Sequence, residues 1–212
     1  MFGIEDLWLF VVSGIIMNVL PGPDSLYVVS RSASQGFRAG SVAALGIGAG
    51  TFVHIFAAAF GLSAILATSA DAFTVVKIIG CIYLLYMGFT MVFGKTNKQN
   101  SATTIKAIDS LSNVFYKGFL TNVLNPKVAL FFLAFVPQFI SFDAENKALA
   151  FIILGLIFNI GGMIWFHFLA WSSWSLGARI RQHSGLTKWL KRAAGGLFVY
   201  FGLRLAFSSQ SQ

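Results

Sequence analysis

Long apolar stretches limit what this chain can fold into. A membrane-spanning helix needs about 20 predominantly apolar residues, and five of the six stretches reach that length. The sixth is shorter and contains Arg204. The stretches are Leu7–Ser30, Ser41–Thr68, Phe73–Phe93, Val114–Ile140, Ala148–Trp174 and Ala193–Phe207. Only 10% of the residues are charged, whereas a soluble domain carries ~25%. We therefore predict an all-α integral membrane protein, with residues 1–212 forming one membrane domain of six transmembrane helices.

The positions of the basic residues predict how these helices are oriented. The formal net charge is +8, but 11 of the 15 Lys and Arg residues fall in the three connections on one side of the predicted bilayer. Five of the seven acids fall on the other side. Because cytoplasmic loops carry the excess of Lys and Arg, we predict that both termini lie outside. Topology then explains the basic charge, and we do not expect nucleic acid as a partner.

The first stretch is interrupted by Pro21-Gly22-Pro23-Asp24. Each proline removes a backbone donor and clashes with the preceding turn, so the helix must kink or unwind here. Irregular backbone at membrane depth is tolerated only where it is buried in protein or lines a cavity. An ionisable residue beside such a break is a candidate functional group. The alternative for Asp24 is that it only caps the helix that restarts after Pro23.

A second break repeats the first. Asn18-Val19-Leu20 recurs as Asn122-Val123-Leu124, which is followed by Pro126. The next stretches contain His54 and His167 in corresponding positions. We interpret residues 1–94 and 114–212 as two three-helix repeats joined by a cytoplasmic linker, residues 95–113. An odd number of helices per repeat turns the second repeat upside down, as in many secondary transporters. The prediction is a 3+3 inverted repeat whose first and fourth helices are broken at the prolines.

Small residues four apart mark the second stretch, as at Gly46 and Gly50. Such residues let membrane helices approach closely. We interpret them as packing positions, which is the simpler explanation than contact with a ligand.

Lys127 follows Asn125-Pro126 near the middle of the fourth stretch, and Asp24 is the other charge at comparable depth. We predict that the inverted repeat brings them together, as a pair or as a pair bridged by substrate. The alternative is a lysine that snorkels to an interface. Amides nearby suit a zwitterionic ligand because they offer both a donor and an acceptor, or they only join helices. The predicted substrate-binding residues are Asn18, Gly22, Asp24, Asn122, Asn125 and Lys127.

The histidines leave three interpretations open. His54 and His167 could relay protons or ligate haem, or each could only hydrogen bond to a neighbouring helix. We predict proton coupling by Asp24, His54 and His167. No metal site, resident cofactor or nucleophile–base pair is expected, and so no enzyme. A bis-histidine membrane redox protein and a passive solute channel are the alternative functions.

Together these residues resemble the LysE/Rht family of amino-acid exporters. The resemblance covers nearly the whole chain and rests on Asn18 to Asp24, on the Arg/Ser-rich turn with Gly36 and Gly40, and on Asn125-Pro126-Lys127. It implies secondary active efflux of small neutral amino acids across the bacterial inner membrane by proton exchange. The partners would be the amino acid, protons and the lipid bilayer, and a homodimer is left open.

Overall fold

The computed structural model describes residues 3–64, 109–141 and 143–175, together with single helical positions at 75, 78, 82, 85, 86, 89, 196, 199, 200 and 203. Six helices are defined within these ranges. They are α1 (Leu7–Val19), α2 (Pro23–Gln35), α3 (Phe37–Phe56), α4 (Leu111–Val123), α5 (Pro126–Leu130) and α6 (Lys147–Ser175). A π-helical turn, Ala57–Leu62, extends α3. A π-helical turn, Phe131–Phe135, and a 3-10 turn, Val136–Phe139, extend α5.

Four candidate membrane spans lie in the described part of the chain. Phe37–Leu62 has 26 residues and Lys147–Ser175 has 29, and each is apolar and long enough to cross a bilayer. The other two are bent pairs: α1 with α2 at 52°, and α4 with Pro126–Phe139 at 45°. The predicted breaks in the first and fourth helices are therefore confirmed. The predicted spans Phe73–Phe93 and Ala193–Phe207 fall mostly outside the described residues, so six helices in a 3+3 repeat stays a prediction.

The helices that restart after the two breaks differ in their N-cap residues. Gly22, in extended backbone, is the N-cap of α2, and Pro23 takes the first helical position, where its missing N–H costs nothing. Asp24 therefore lies inside the first turn, and the alternative that it is the N-cap of α2 is wrong. At the second break Asn125 is the N-cap, and its Oδ1 accepts the Lys127 backbone N–H at 3.0 Å.

The central helix α3 packs closely on α4, as the small residues of the second stretch predict. A Cβ added to Gly46 would overlap the Phe115 carbonyl oxygen, and one on Gly50 would lie 2.8 Å from the Phe119 carbonyl oxygen. From the other side, a Cβ on Gly118 would lie 2.7 Å from the Ala43 carbonyl oxygen. Backbone meets backbone here, so α3 and α4 pack without side chains between them at these positions.

Buried apolar side chains form two separate clusters. The first, which we call the phenylalanine cluster, includes Phe10, Met17, Val128, Phe131, Phe132, Phe135, Phe139, Leu154 and Phe158. The second, which we call the α2–α3 cluster, comprises Val28, Ala43, Ala44, Ile47, Val114, Phe166 and Ala170. Helix α6 contributes to both clusters, with Phe158 in the first and Phe166 in the second. Asp24, Asn122 and Lys127, which lie beside the breaks, line one cavity together with members of both clusters.

Helix α4 begins at Leu111, three residues before the predicted start of the second repeat. The reason is local, because Ser110 caps the helix by accepting the Asn113 N–H at 3.3 Å. Just before the cap, the Asp109 carboxylate pairs with Arg31 on α2 at 2.5 Å and with Lys117 at 2.8 Å. The rest of the predicted linker, residues 95–108, lies outside the described residues.

Candidate functional site

The two breaks meet at Asp24. Its side chain is 4% exposed, and its Oδ2 accepts hydrogen bonds from Asn122 Nδ2 and Asn125 Nδ2, both at 2.9 Å. The second carboxylate oxygen, Oδ1, is buried and has no hydrogen-bond partner within the described ranges. Hydrogen bonds to an ionised acceptor are roughly twice as strong as neutral ones. Asp24, beside the first break, is thus held by two amides beside the second break.

The orientation of the Asn125 amide is fixed at its oxygen end, where Oδ1 accepts from the Lys127 backbone N–H. An amide has one acceptor end and one donor end, so the NH₂ group of Asn125 faces the Asp24 carboxylate. Thr51 Oγ1 lies 3.3 Å from Asn122 Oδ1 and 3.1 Å from the Ile47 carbonyl oxygen, and its one hydroxyl proton serves one of these two acceptors. The sequence alone did not single out Thr51, although it lies one helical turn from His54 on the same face of α3.

Lys127 closes the first break. Its Nζ donates to the carbonyl oxygens of Met17 at 3.0 Å and Leu20 at 3.1 Å. In an unbroken helix the Met17 carbonyl would accept from the residue four positions later, which is Pro21 and has no N–H. Lys127 supplies the missing donor, and a cation is also favourable at the C-terminus of α1. The Lys127 side chain crosses Gly22, where an added Cβ would lie 3.4 Å from Nζ.

The predicted direct pair between Asp24 and Lys127 is not formed in this structure. Asp109 pairs with Arg31 and with Lys117, whereas no ion pair joins the described residues Asp24 and Lys127. The physical reason is competition: Lys127 donates to two carbonyl oxygens at the first break, while two amides donate to Asp24. Lys127 does not snorkel either. The other predicted arrangement, a pair bridged by substrate, stays a prediction, and both side chains line one cavity.

His54 contacts the second break from α3. Its Nε2 lies 3.0 Å from the Asn122 carbonyl oxygen, which is four residues before Pro126 and also accepts the Asn125 backbone N–H at 2.9 Å. The imidazole lies nearly parallel to the Phe132 ring, at 15° with centroids 6.2 Å apart. His54 is therefore linked to Asp24 through Asn122, whose backbone it contacts and whose amide contacts the carboxylate.

His167 is not brought to this site. Its Nδ1 lies 2.8 Å from the Met163 carbonyl oxygen of its own helix. Ile55, next to His54, packs where Gly155 has no side chain, and His167 follows Gly155 by twelve residues on α6. At 1.5 Å per residue the two imidazoles are ~18 Å apart along α6. They cannot share one haem iron, so the arrangement excludes the bis-histidine redox centre.

A small cavity lies between the two breaks. Its free volume is about 10 Å³, which holds about one water molecule and is too small for an amino acid. Its lining residues are Met17, Asn18, Asp24, Thr51, Asn122, Lys127, Val128, Phe158, Asn159, Gly162 and Phe166. An amino acid therefore needs a larger cavity than the one this structure has.

The predicted site residues divide by position. Four of them, Asn18, Asp24, Asn122 and Lys127, line the cavity, while Asn125 supports Asp24 and Gly22 accommodates Lys127. Asn18 joins helices, since its Nδ2 donates to the Phe158 carbonyl oxygen at 3.2 Å. The prolines at 21, 23 and 126 break the helices but do not line the cavity. Sequence reasoning missed the wall formed by α6, whose signal is the four-residue spacing of Phe158, Gly162 and Phe166.

Comparison with known proteins adds a family. The family described as LysE type translocator matches residues 15–209. An uncharacterised membrane protein of Pseudomonas aeruginosa is 32% identical over 213 residues, covering 99% of this chain and 98% of the relative. Leucine efflux proteins of Enterobacter sp. and Salmonella choleraesuis are 31% and 29% identical, each covering 97% of this chain and 97% and 96% of the relative. No solved structure matches the chain.

Proposed function

The chain belongs to the LysE family of membrane translocators, and from that premise we propose that it exports small neutral amino acids by proton antiport across the bacterial inner membrane. The observation that carries the proposal is one cavity lined by opposite charges, Asp24 and Lys127, that do not pair with each other. A zwitterion offers the complementary pair of charges. The names of the leucine efflux proteins support an amino acid as the zwitterion.

Each end of the substrate has a partner. The α-ammonium group binds the Asp24 Oδ1 atom, which has no protein donor. The carboxylate binds Lys127, whose ammonium has three N–H donors and uses two of them on carbonyls. The N-terminus of α2 favours an anion at the same place. The side chain is neutral, because the remaining lining residues carry no formal charge.

Proton coupling in this proposal depends on Asp24, which carries the one carboxylate among the residues that line the cavity. When Asp24 is ionised it attracts the ammonium with roughly 4 kcal/mol at 4 Å and an effective dielectric constant of 20. Protonation of Asp24 from the outside removes that attraction and releases the amino acid. His54 is a second proton-coupling residue in this proposal because Asn122 connects it to the carboxylate. His167 stays a prediction from the repeat, without a contact to the cavity.

The proposed orientation keeps the basic connections in the cytoplasm, where 11 of the 15 Lys and Arg residues fall, and both termini outside. In this orientation the pair of Arg31 and Asp109 lies at the cytoplasmic end of the bent spans. Alternating access then consists of one repeat moving against the other around the breaks. Whether two copies associate does not enter this mechanism.

An efflux screen tests the proposal. Purified protein is reconstituted in proteoliposomes, which are loaded in turn with each of the twenty amino acids and with homoserine. Efflux is measured with and without a pH gradient. We expect saturable efflux of a neutral aliphatic amino acid that is at least tenfold faster with the gradient. An efflux rate that is the same with and without the pH gradient would indicate a passive channel and refute antiport. Efflux of none of the compounds would refute the substrate class.

A further inference from the structure

Asn159 on α6 brings to the cavity an acceptor that the contacts between helices leave unused. The residue is 8% exposed and lines the cavity. Its Nδ2 donates to the Gly48 carbonyl oxygen of α3 at 3.3 Å. Because a carbonyl oxygen only accepts, the NH₂ end of the amide must face Gly48, and the oxygen end remains. Asn159 Oδ1 accepts a hydrogen bond from no described residue.

Asn18 on α1 shows the same pattern close to Asn159. Its Nδ2 donates to the Phe158 carbonyl oxygen of α6 at 3.2 Å, and within the described ranges no donor is bonded to its Oδ1. That oxygen lies over Gly162, where an added Cβ would be 3.0 Å away. Asn159 and Gly162 are three positions apart, so they are neighbours on one face of α6, with roughly 5–6 Å between Cβ positions. The two amide oxygens therefore belong to one region of the cavity wall.

Asp24 adds a third acceptor and a negative charge. Its Oδ1 is buried without a hydrogen-bond partner among the described residues, and Asp24 lines the same cavity as Asn18 and Asn159. Buried polar atoms without partners are unfavourable, so three such oxygens favour a ligand that is rich in donors. A primary ammonium group has three N–H donors and a positive charge, whereas a secondary ammonium group has only two N–H donors.

We propose that Asn159 is a substrate-binding residue, and that Asn159 Oδ1, Asn18 Oδ1 and Asp24 Oδ1 accept the three N–H groups of the substrate's primary ammonium. This inference rests on the proposed function and names its substrate class. The class is amino acids with a primary α-amino group, and it excludes N-methylated amino acids and proline. One oxygen comes from each of α1, α2 and α6, so the bound ammonium joins both helices of the first bent span to α6.

The test is competition against counterflow of labelled leucine in proteoliposomes, with unlabelled leucine and N-methylleucine as competitors. We expect wild type to require at least tenfold more N-methylleucine than leucine for half-inhibition. Asn159→Leu keeps a side chain of similar size and removes the acceptor. A hydrogen bond with a charged group corresponds to roughly 10–150-fold in affinity. Asn159→Leu should therefore raise the half-inhibiting concentration of leucine at least tenfold and bring the two competitors within about threefold of each other.

Ser32→Ala is the matched control, because Asn159→Leu also loses its hydrogen bond to Gly48. Ser32 Oγ donates to the Ala170 carbonyl oxygen of α6, so this variant likewise loses a bond between helices, and Ser32 does not line the cavity. We expect Ser32→Ala to lower the melting temperature as Asn159→Leu does. The ratio of the half-inhibiting concentrations of the two competitors should stay within about twofold of wild type.

Three results would overturn the inference. N-methylleucine could compete as well as leucine in wild type, Asn159→Leu could keep the wild-type ratio, or Ser32→Ala could lower the ratio equally. If Asn159→Leu does not fold, Asn18→Leu is measured in its place against the same expected ratio, since it removes a second of the three acceptors. A wild type that exports no amino acid in the efflux screen refutes the proposed function itself, which is a distinct outcome.

Discussion

Asp24→Asn separates the charge of the carboxylate from its role as a hydrogen-bond acceptor. Asparagine has the same shape, and its amide oxygen can accept from both Asn122 and Asn125 as Oδ2 does now. The amide NH₂ then takes the place of Oδ1, which has no protein partner. The variant keeps the joint between the two breaks and loses only the negative charge.

The two effects have different magnitudes. Turning two charge-assisted hydrogen bonds into neutral ones costs ~0.5–2 kcal/mol each, while removing a charge at membrane depth regains at least ~3 kcal/mol. Together the two bonds cost ~1–4 kcal/mol, and the new NH₂ group is buried without a protein partner, so gain and cost nearly cancel and the free energy of unfolding should stay close to the wild-type value. The lost attraction for a substrate ammonium is roughly 4 kcal/mol at 4 Å, which weakens binding several hundredfold. Asp24→Ala instead leaves two amide donors unpaired, at ~1–3 kcal/mol each.

The assay is counterflow of labelled leucine in proteoliposomes, together with a thermal melt of the same preparation in detergent. We expect Asp24→Asn to melt near the wild-type temperature and to show no saturation at leucine concentrations a hundred times the wild-type half-saturation value. Asp24→Ala should melt lower. Wild-type affinity and wild-type gradient dependence in Asp24→Asn would refute the assignment of Asp24 to the substrate ammonium.

Three further predictions follow from the same contacts. Lys127→Ala should weaken leucine binding at least tenfold and lower the melting temperature, because it also uncaps two carbonyls of α1; unchanged affinity would remove Lys127 from the site. His54→Ala and His167→Ala should each cost ~1 kcal/mol, or roughly 2–4 °C, because each loses one hydrogen bond to a carbonyl, and His54→Ala should slow efflux more; a larger loss of efflux in His167→Ala would make His167 the main coupling histidine. The hydrogen bond from Lys117 and the charge of Arg31 hold the pKa of the Asp109 carboxyl below its usual range. This contribution to stability is therefore complete above the unfolded value, ~3.9, and is lost as pH falls through the lower folded pKa. Melts between pH 7 and 3 should show an acid-induced loss that is smaller in Asp109→Asn, and equal slopes would contradict the assignment.

Part of this architecture could be predicted from residue types alone. Proline at 21 and 126 breaks any helix whatever surrounds it, and glycine at 46 and 50 allows close helix contact, so both features follow from local chemistry. The partner of Lys127 could not be found the same way. The sequence predicts Asp24 as the partner because it is the other charge at comparable depth. Backbone carbonyl oxygens without a donor compete for the same ammonium, and the positions of the charged residues do not show which oxygens these are.

The wall of the cavity was missed for a different reason. Phe158, Gly162 and Phe166 are apolar residues in an apolar helix, and nothing in their own chemistry separates a wall that faces a ligand from one that faces lipid. The distinction depends on what packs opposite them, which is the break after α1. Histidines in corresponding positions of an inverted repeat raise the converse problem. The pseudo-symmetry of such a repeat places equivalent positions at opposite depths, so equivalence argues against His54 and His167 meeting.

Counting four residues back from a proline gives the carbonyl that cannot make its usual helical hydrogen bond, and that count can be applied to both breaks. It gives the Met17 carbonyl for Pro21 and the Asn122 carbonyl for Pro126, and each is contacted by a basic side chain from outside its own helix. The Asn122 carbonyl also accepts the Asn125 N–H, so Lys127 has the larger part in stabilising its break. Under the proposed mechanism, the ammonium of Lys127 that joins α1 to α5 also attracts the substrate carboxylate. The carboxylate takes the third N–H of that ammonium, beside the two that the Met17 and Leu20 carbonyl oxygens accept. A cavity of about 10 Å³ has to enlarge before it admits leucine, and the group that the substrate carboxylate then reaches is the one that joins α1 to α5.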